Sequence, residues 1–569
     1  MTGVGRDRGE DISADFIVVG AGSAGCVLAN RLSADGRSKI LLLEAGGDDR
    51  PTHNPGQLLS NLMIHVPVGY ARTLKDPKVN WLYFSEPDAK GRVHAWPRGK
   101  VFGGSSSING MLYVRGQPAD YDGWQRMGCM GWAWSDVLPY FLRAENQERG
   151  AGRLHGVGGP LNVSDMTDTH VVSDAVIDAC VQAGLPRNAD VNGEEQEGVS
   201  YFQLTVRNGM RCSTAVAYLH PVLSRPNLSV ESQALVTRVI FDGKRASGVE
   251  YRQRGCTRIA RAAREVILCG GVVNSPQLLQ LSGIGPGEVL SRCGVPVLHD
   301  LRSVGENLQD HYMAPLTYRL KPGTISVNEM SRGLRLVREV LKYVFMRKGL
   351  LALAPCHVVT FCKSRPELDR PDIQFIVLPA TLDLEAVTRE NAFLLERKPG
   401  LTLGVSQTRP ESRGTIHIES PDPTKYPVIV PNYLSDPMDQ QIVAAALKWG
   451  RKIADQPALR AWVESEIIPG FALTGDLQLV EYARAAGATM YHPVGTCAMG
   501  EVVDSALRVH GVQALRVVDA SVMPRIVSGN TNAATIMIAE KAADLILGRS
   551  PAPLGAGVEA TLHSLPEVV

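Results

Sequence analysis

The chain is 569 residues long, 44% hydrophobic and 21% charged, the profile of an ordinary globular protein with room for more than one core. Lys and Arg total 59 against 58 Asp and Glu, so no global field recruits nucleic acid or an acidic substrate. Arg6, Arg8 and Glu10 break up the first ten residues, which argues against a secretory signal, and the uncharged run Phe16 to Ala29 is shorter than the roughly 20 residues of a spanning helix.

In chain order, residues 1–13 read as a loose polar end. Phe16-Ile-Val-Val19 then reads as a buried parallel strand, and Gly20, Gly22 and Gly25 follow it as G-x-G-x-x-G. In such a loop the first glycine permits a tight turn, the second lets backbone approach a pyrophosphate, and the third lets helix pack on strand. Val27, Leu28 and Leu32 give the helix its apolar face. A second strand, Lys39 to Leu43, ends in Glu44, which stands 19 residues after Gly25, where an acid accepts from a ribose diol. The loop by itself leaves NAD and FAD both open, since they share an ADP half.

Further along, Pro97 to Trp124 carries Gly103-Gly104 and three serines, a donor-rich loop able to wrap a phosphate or a flavin ring. Glu265 to Gly285 reads as a strand, a Gly-Gly break and a helix opening near Ser275-Pro276. Arg332 to Leu351 is a basic amphipathic helix: Arg332, Arg335, Arg338, Lys342, Arg347 and Lys348 stand against Glu339, with Leu334, Val337, Leu341 and Val344 at helical spacing. It has two readings, an ordinary helix with its apolar face inward, or a helix lying in a lipid headgroup layer as a peripheral membrane contact through 332–351. "PDIQFIVLPA", "LTLGVSQTRPESRGTIHIES" and "PVIVPNYL" read as strands and "DQQIVAAALKWGRKIAD" as a helix. "YHPVGTCAMG", "LRVVDASVMP" and a polar Asn/Thr loop leading into a long helix with Ile536, Ile538, Ala542 and Ile546 close the ordered chain; residues 549–569 read as a loose tail. Ten scattered cysteines without a C-x-x-C pair fit buried thiols in a reducing, cytoplasmic compartment, with no metal site.

From about Asp15 to Leu547 the chain resembles the glucose–methanol–choline (GMC) family of flavin oxidoreductases. Gly103-Gly-Ser-Ser-Ser-Ile-Asn-Gly110 and Asn274-Ser-Pro-Gln-Leu-Leu-Gln-Leu-Ser-Gly-Ile-Gly285 match its signature segments, with Phe102 and Val272 as minor departures. "WPRGKVFGGSSSIN", "VGENLQDH" and "GNTNAATIMIAEKAAD" carry a closer resemblance to its alcohol dehydrogenase and choline dehydrogenase branch. The resemblance implies an α/β fold, α+β overall. A doubly wound, Rossmann-type FAD domain would be assembled from 14–160, 205–310 and 489–548. A substrate domain, 161–204 and 311–488, would carry a mainly antiparallel sheet backed by helices.

It also implies FAD, bound extended. Gly20, Gly22, Gly25 and Glu44, with Ser23 and Ala45, would hold the ADP half. Gly103, Gly104, Ser105, Asn109 and Gly110 would line the flavin side, and Val236 in the strand "ALVTRVIF" would touch adenine. Asp519 and Ala520 would sit by the ribityl and pyrophosphate, and Asn530, Thr531 and Ala533 would border the ring. Where some relatives bond the flavin through a His, this chain has Ile108, so the FAD is expected to be noncovalent.

Alcohol oxidation removes a hydride and a hydroxyl proton, and the proton needs a nearby base. His492 matches the family's catalytic His and is the expected base; Asn532 matches the second position and is expected to bond the substrate oxygen. His65, His94, His155, His220 and His311 lack such a context and read as structural. A fatty acid photodecarboxylase relative would have Cys before Arg-Pro where Thr408 stands, and would lack the catalytic His. A non-catalytic flavoprotein is disfavoured by His492 and Asn532, a nicotinamide dehydrogenase by the Gly103 and Asn532 loops. His357 stands where choline-type members have Glu, which points to a neutral primary alcohol, aliphatic or aryl. The branch implies a quinone or dye-like acceptor, with choline dehydrogenase and oxygen-using alcohol oxidase as alternatives. The oligomeric state is left open.

Overall fold

The computed structural model describes residues 12–383 and 394–550. The first strand begins earlier than the sequence pattern suggested: Ile12–Val19 is continuous, and Ile12 pairs with Ala260, so Ile12 and Ser13 belong to the fold rather than to a loose end. The remainder of the expected loose termini, 1–11 and 551–569, lies outside the described residues.

Phe16, Ile17, Val18 and Val19 are buried, as a strand covered on both faces requires. Ile12–Val19 runs parallel to Ile40–Leu43 on one side and to the long strand Cys256–Leu268 on the other. The sheet has seven strands, with Leu228–Glu231 beyond Ile40–Leu43 and an antiparallel meander, Ala234–Asp242 and Arg245–Gln253, on the far edge; Leu515–Val517 also pairs with Cys256–Leu268. The helices Ser23–Leu32 and Asn532–Leu547 pack against each other in the core of this half. The latter is buried nearly all round; its Glu540 is paired with Arg31 and Arg143 and accepts from the Tyr218 hydroxyl.

The second sheet is also seven-stranded. Its main path runs Val463–Ile468, Tyr312–Leu320, Gly400–Gln407, Ile373–Leu378, Val358–Cys362, Gly198–Tyr201, with antiparallel neighbours throughout. Pro437–Ala454, Asp476–Ala486 and Val171–Gln182 back it, burying Val443, Leu447, Leu479 and Val176. The two halves interleave. Leu161 and Val163 sit in the core of the first, and the hairpin Thr415–His417/Val428–Val430, inside the span 311–488, packs Ile416 and Ile429 with Val272 and Val273.

The helix after Cys256–Leu268 starts at Gly271, four residues before Ser275, so Pro276 lies inside it. Proline supplies no N–H to the carbonyl four residues back, which is that of Val272. Thr496 Oγ1 donates to this carbonyl at 2.7 Å, so the helix continues with no orphaned acceptor there. All cysteines but Cys256 are buried. Among the described residues no helix is long and apolar enough to cross a membrane.

Candidate active site

A cavity of about 670 Å³ lies between the two sheets. Of the residues singled out in the sequence, Gly20, Gly22, Ser23, Glu44, Ala45, Gly104, Ser105, Asn109, Gly110, Val236, His492, Asp519, Ala520, Asn530, Thr531 and Asn532 line it. Gly25, Gly103 and Ala533 do not. Gly25 and Gly103 shape the backbone behind the wall, and Ala533 is packed into the first core.

At the end formed by the first sheet, the three glycines differ in what holds them. A Cβ on Gly25 would lie 1.8 Å from the Gly20 carbonyl oxygen, and one on Gly20, at φ +101°, would lie 2.6 Å from that of Cys269. These two are demanded by helix-on-strand packing. A Cβ on Gly22 would meet only Gly104 Cα, at 3.9 Å, so protein packing does not explain this glycine and it faces the cleft. The helix Ser23–Leu32 starts there with no side-chain cap, which leaves amide donors for a phosphate. Glu44 Oε2 accepts from Ala21 N at 2.8 Å and Oε1 from Gly46 N at 2.7 Å. Burial nevertheless pushes its carboxyl up to about 7. Asp519 accepts from Gly271 N and Ser275 Oγ on one oxygen and from Ser521 N on the other. A bare glycine, uncapped helix amides, a carboxylate ending the second strand and a second glycine loop facing the first fit an extended dinucleotide.

The other end is organised by His492. Its Nδ1 lies 3.1 Å from His311 Nδ1, and His311 Nε2 lies 2.9 Å from the Thr408 carbonyl oxygen. A carbonyl only accepts, so His311 carries its proton on Nε2 and accepts at Nδ1. His492 must therefore donate from Nδ1, which leaves the lone pair on Nε2. That atom is 2.9 Å from Asn530 Nδ2, and Asn530 Oδ1 is buried without a partner. The His492 amide donates to Asp310 Oδ1, whose carboxylate also holds Tyr433 and Thr489; burial raises Asp310 to about 6. Burial, then the positive charge that His311 and Arg98 would present, keeps His492 well below the usual histidine range.

Two residues have partners that the sequence reading did not give. Asn532 lines the cavity with its Oδ1 accepting from Ser23 Oγ at 2.7 Å, on the glycine loop. Asn532 is the first helical residue of Asn532–Leu547 and points back along the nucleotide end, whereas Asn530, two residues before the helix, reaches His492. His311, read from sequence as merely structural, is the partner that fixes the His492 tautomer.

In the second-sheet half the wall is largely apolar, with Met313, Val327, Leu353, Ile376, Leu378 and Ile468. Among the described residues the one carboxylate lining it there, Glu396, is ion-paired to Arg319 at 2.7 Å and accepts from Thr381 Oγ1. His357 lines the cavity, lies 3.2 Å from Ser173 Oγ through Nδ1, and is pushed down to about 3 by burial, so it is neutral. Ile108 lines the cavity and offers no nucleophile. Among the described residues one group, Asp48, Asp49 and His220, brings three potential metal ligands together. There His220 Nε2 is 2.7 Å from Asp49 and Arg50 holds Asp48.

Comparison with known proteins gives matches over the whole architecture. GMC oxidoreductase sequence families match residues 14–313 and 410–539. An alcohol dehydrogenase (acceptor) of Pseudomonas putida is 42% identical over 569 residues, 98% of this chain and 100% of the relative. The mitochondrial choline dehydrogenase of Homo sapiens is 44% identical over 547 residues, 94% of this chain and 90% of the relative. The crystal structure of pyridoxine 4-oxidase from Mesorbium loti superposes with a TM-score of 0.83 at 30% identity, covering 94% of this chain and 99% of that one.

Proposed function

The chain belongs to the GMC oxidoreductase family, and we propose that this enzyme oxidises a neutral primary alcohol, aliphatic or aryl, to the aldehyde and passes the electrons to a quinone or dye-like acceptor. It is an oxidoreductase acting on CH–OH donors, and FAD is its cofactor. Bound in the cleft, FAD supplies the acceptor for the hydride. Gly20, Gly22, Ser23, Glu44 and Ala45 would hold the ADP half and Val236 the adenine. Asp519 and Ala520 would face the ribityl chain, and Gly104, Ser105, Asn109, Gly110, Thr531 and Asn532 the flavin.

The observation that carries the reading is the unprotonated Nε2 of His492, whose lone pair accepts from Asn530 Nδ2 at 2.9 Å. His492 takes the hydroxyl proton at Nε2 as the hydride leaves the carbon. Its Nδ1–H stays on His311, so the ring keeps its orientation while it charges. Asn530 Nδ2 turns from Nε2 to the substrate oxygen and holds it next to the acceptor nitrogen, which leaves the lone pair to the hydroxyl proton. Proton transfer of this kind contributes roughly 10²–10⁴-fold.

The neutral-alcohol reading is supported by the apolar wall and by Glu396 being already neutralised by Arg319. A second reading, choline oxidation, is favoured by the 44% identity to a choline dehydrogenase. The quinone-like acceptor is supported by the 42% identity to an acceptor-linked alcohol dehydrogenase. A cytoplasmic enzyme held at the inner face of the cytoplasmic membrane through 332–351 completes the reading. Anaerobic mixing with benzyl alcohol, hexanol and choline is the test. Bleaching of the yellow protein by the neutral alcohols, with His492→Ala slower by at least about 10²-fold and still yellow, is expected. Faster bleaching by choline selects the second reading, and faster peroxide formation than quinone reduction removes the acceptor.

A further inference from the structure

The helix Gly333–Met346 is mounted the wrong way round for an ordinary surface helix. Leu334 is 88% exposed, Phe345 80%, Val344 56%, Val337 53% and Leu341 51%, whereas the buried residues are Glu339 and Tyr343. The rotation is fixed by polar anchors on the inner side. Leu350 N donates to Glu339 Oε2 at 2.8 Å, Tyr343 OH to the Gly209 carbonyl at 3.2 Å, and Lys342 Nζ to Asp168 at 2.7 Å. The apolar stripe is thereby held in water, an arrangement that marks an interaction surface. Among the described residues Arg335, Arg338, Arg347 and Lys348, all exposed, have no carboxylate within ion-pair distance. The helix also borders the cavity: the turn Leu350–Ala352 packs against it, Leu350 and Leu353 line the cavity, and Arg332 donates to the carbonyl of Leu395, another lining residue.

We propose that this helix docks the enzyme on an anionic lipid bilayer, with Leu334, Val337, Leu341, Val344 and Phe345 in the acyl boundary, its bases on the headgroups, and the adjoining cavity rim at the lipid surface. This rests on the membrane part of the reading above and names the segment, the lipid charge and the opening. Apolar alcohols and quinones then reach the cleft from the bilayer. A second copy of the chain fits the surface less well, because an isologous contact through this helix sets the uncompensated bases of both copies against each other. An amphipathic helix with bases beside its apolar face gains from both terms at an anionic headgroup layer.

The holoenzyme is sedimented with vesicles of phosphatidylcholine alone and with phosphatidylglycerol added, at low and high salt. Soluble-dye alcohol oxidation is measured on the same samples. Wild type binds the anionic vesicles at low salt. Leu334→Gln/Leu341→Gln/Phe345→Gln lowers the partition coefficient at least tenfold with dye-linked activity unchanged, and Arg335→Gln/Arg338→Gln removes the preference for phosphatidylglycerol. Absence of wild-type binding at low salt, or equal binding by the triple variant, overturns the proposal. A dimer that the triple variant dissociates, with no vesicle binding, overturns it in favour of a second copy. Binding without alcohol oxidation overturns the substrate reading alone, and oxidation without binding overturns the docking alone.

Discussion

His311 Nδ1 lies 3.1 Å from His492 Nδ1, with the rings at 89° to each other, so one buried histidine dictates which nitrogen of the other is basic. The chain of donors ends on the Thr408 carbonyl, and no water is required to set it.

That relationship has a pH signature. A base whose pKa is lowered stays neutral as the pH falls, so activity is lost only below its unperturbed value. The acid limb of kcat/KM for alcohol is expected below pH 6.5, since burial, His311 and Arg98 all lower His492. His311→Leu removes the Nδ1 acceptor that fixes the His492 tautomer. The reduction rate should drop by about tenfold as the ring loses its fixed orientation, with the acid limb still below 6.5. Stopped-flow flavin reduction across pH reads both effects, and a wild-type limb at or above 6.5 contradicts the assignment.

The two asparagines separate by readout. Asn530→Ala should slow anaerobic flavin reduction by about 10²-fold with FAD content intact. Asn532→Ala cuts the bond to Ser23 and should leave the rate within a few-fold while FAD is lost more readily on dilution. Reversed phenotypes would exchange their roles.

Gly22 and Gly25 are predicted to fail differently. Gly25→Ala forces a methyl to 1.8 Å from the Gly20 carbonyl oxygen and should abolish soluble, folded protein. Gly22→Ala meets nothing closer than 3.9 Å and should fold, with near-native circular dichroism, but purify colourless. A yellow Gly22→Ala protein with unchanged FAD affinity refutes the claim that the cofactor makes this position glycine.

The cofactor is expected to leave with mild denaturation, because Ile108 has no nucleophile. Acid precipitation should leave the yellow colour in the supernatant, and the intact mass should equal that of the polypeptide. Colour retained in the pellet is the contrary result.

Local patterns carried much of this architecture. The strand–glycine loop–helix–strand–Glu44 order is contained within one stretch of chain, and both period and spacing declare it. What was not legible depends on distance or on rotation. His311 and His492 are 181 residues apart and meet because their two segments pair on either side of them, Gln309 with Val494 and Tyr312 with Thr489. Asn530 and Asn532 stand two apart in one motif, and only the helix start at Asn532 decides which of them turns toward His492. The pattern of Arg332–Leu351 declared two faces but not which was inward, since Lys342 and Tyr343 are anchored by Asp168 and Gly209, remote in sequence.

Pro276 has a reach beyond its own helix. The carbonyl it leaves unserved is taken by Thr496, four residues after His492. The Val272 carbonyl, freed of an intrahelical partner by Pro276, gives the loop one seat on the helix. The gap in the ladder acts as a register mark, and the seat of the proton acceptor relative to the nucleotide cleft is indexed by a missing amide hydrogen rather than by the length of the loop.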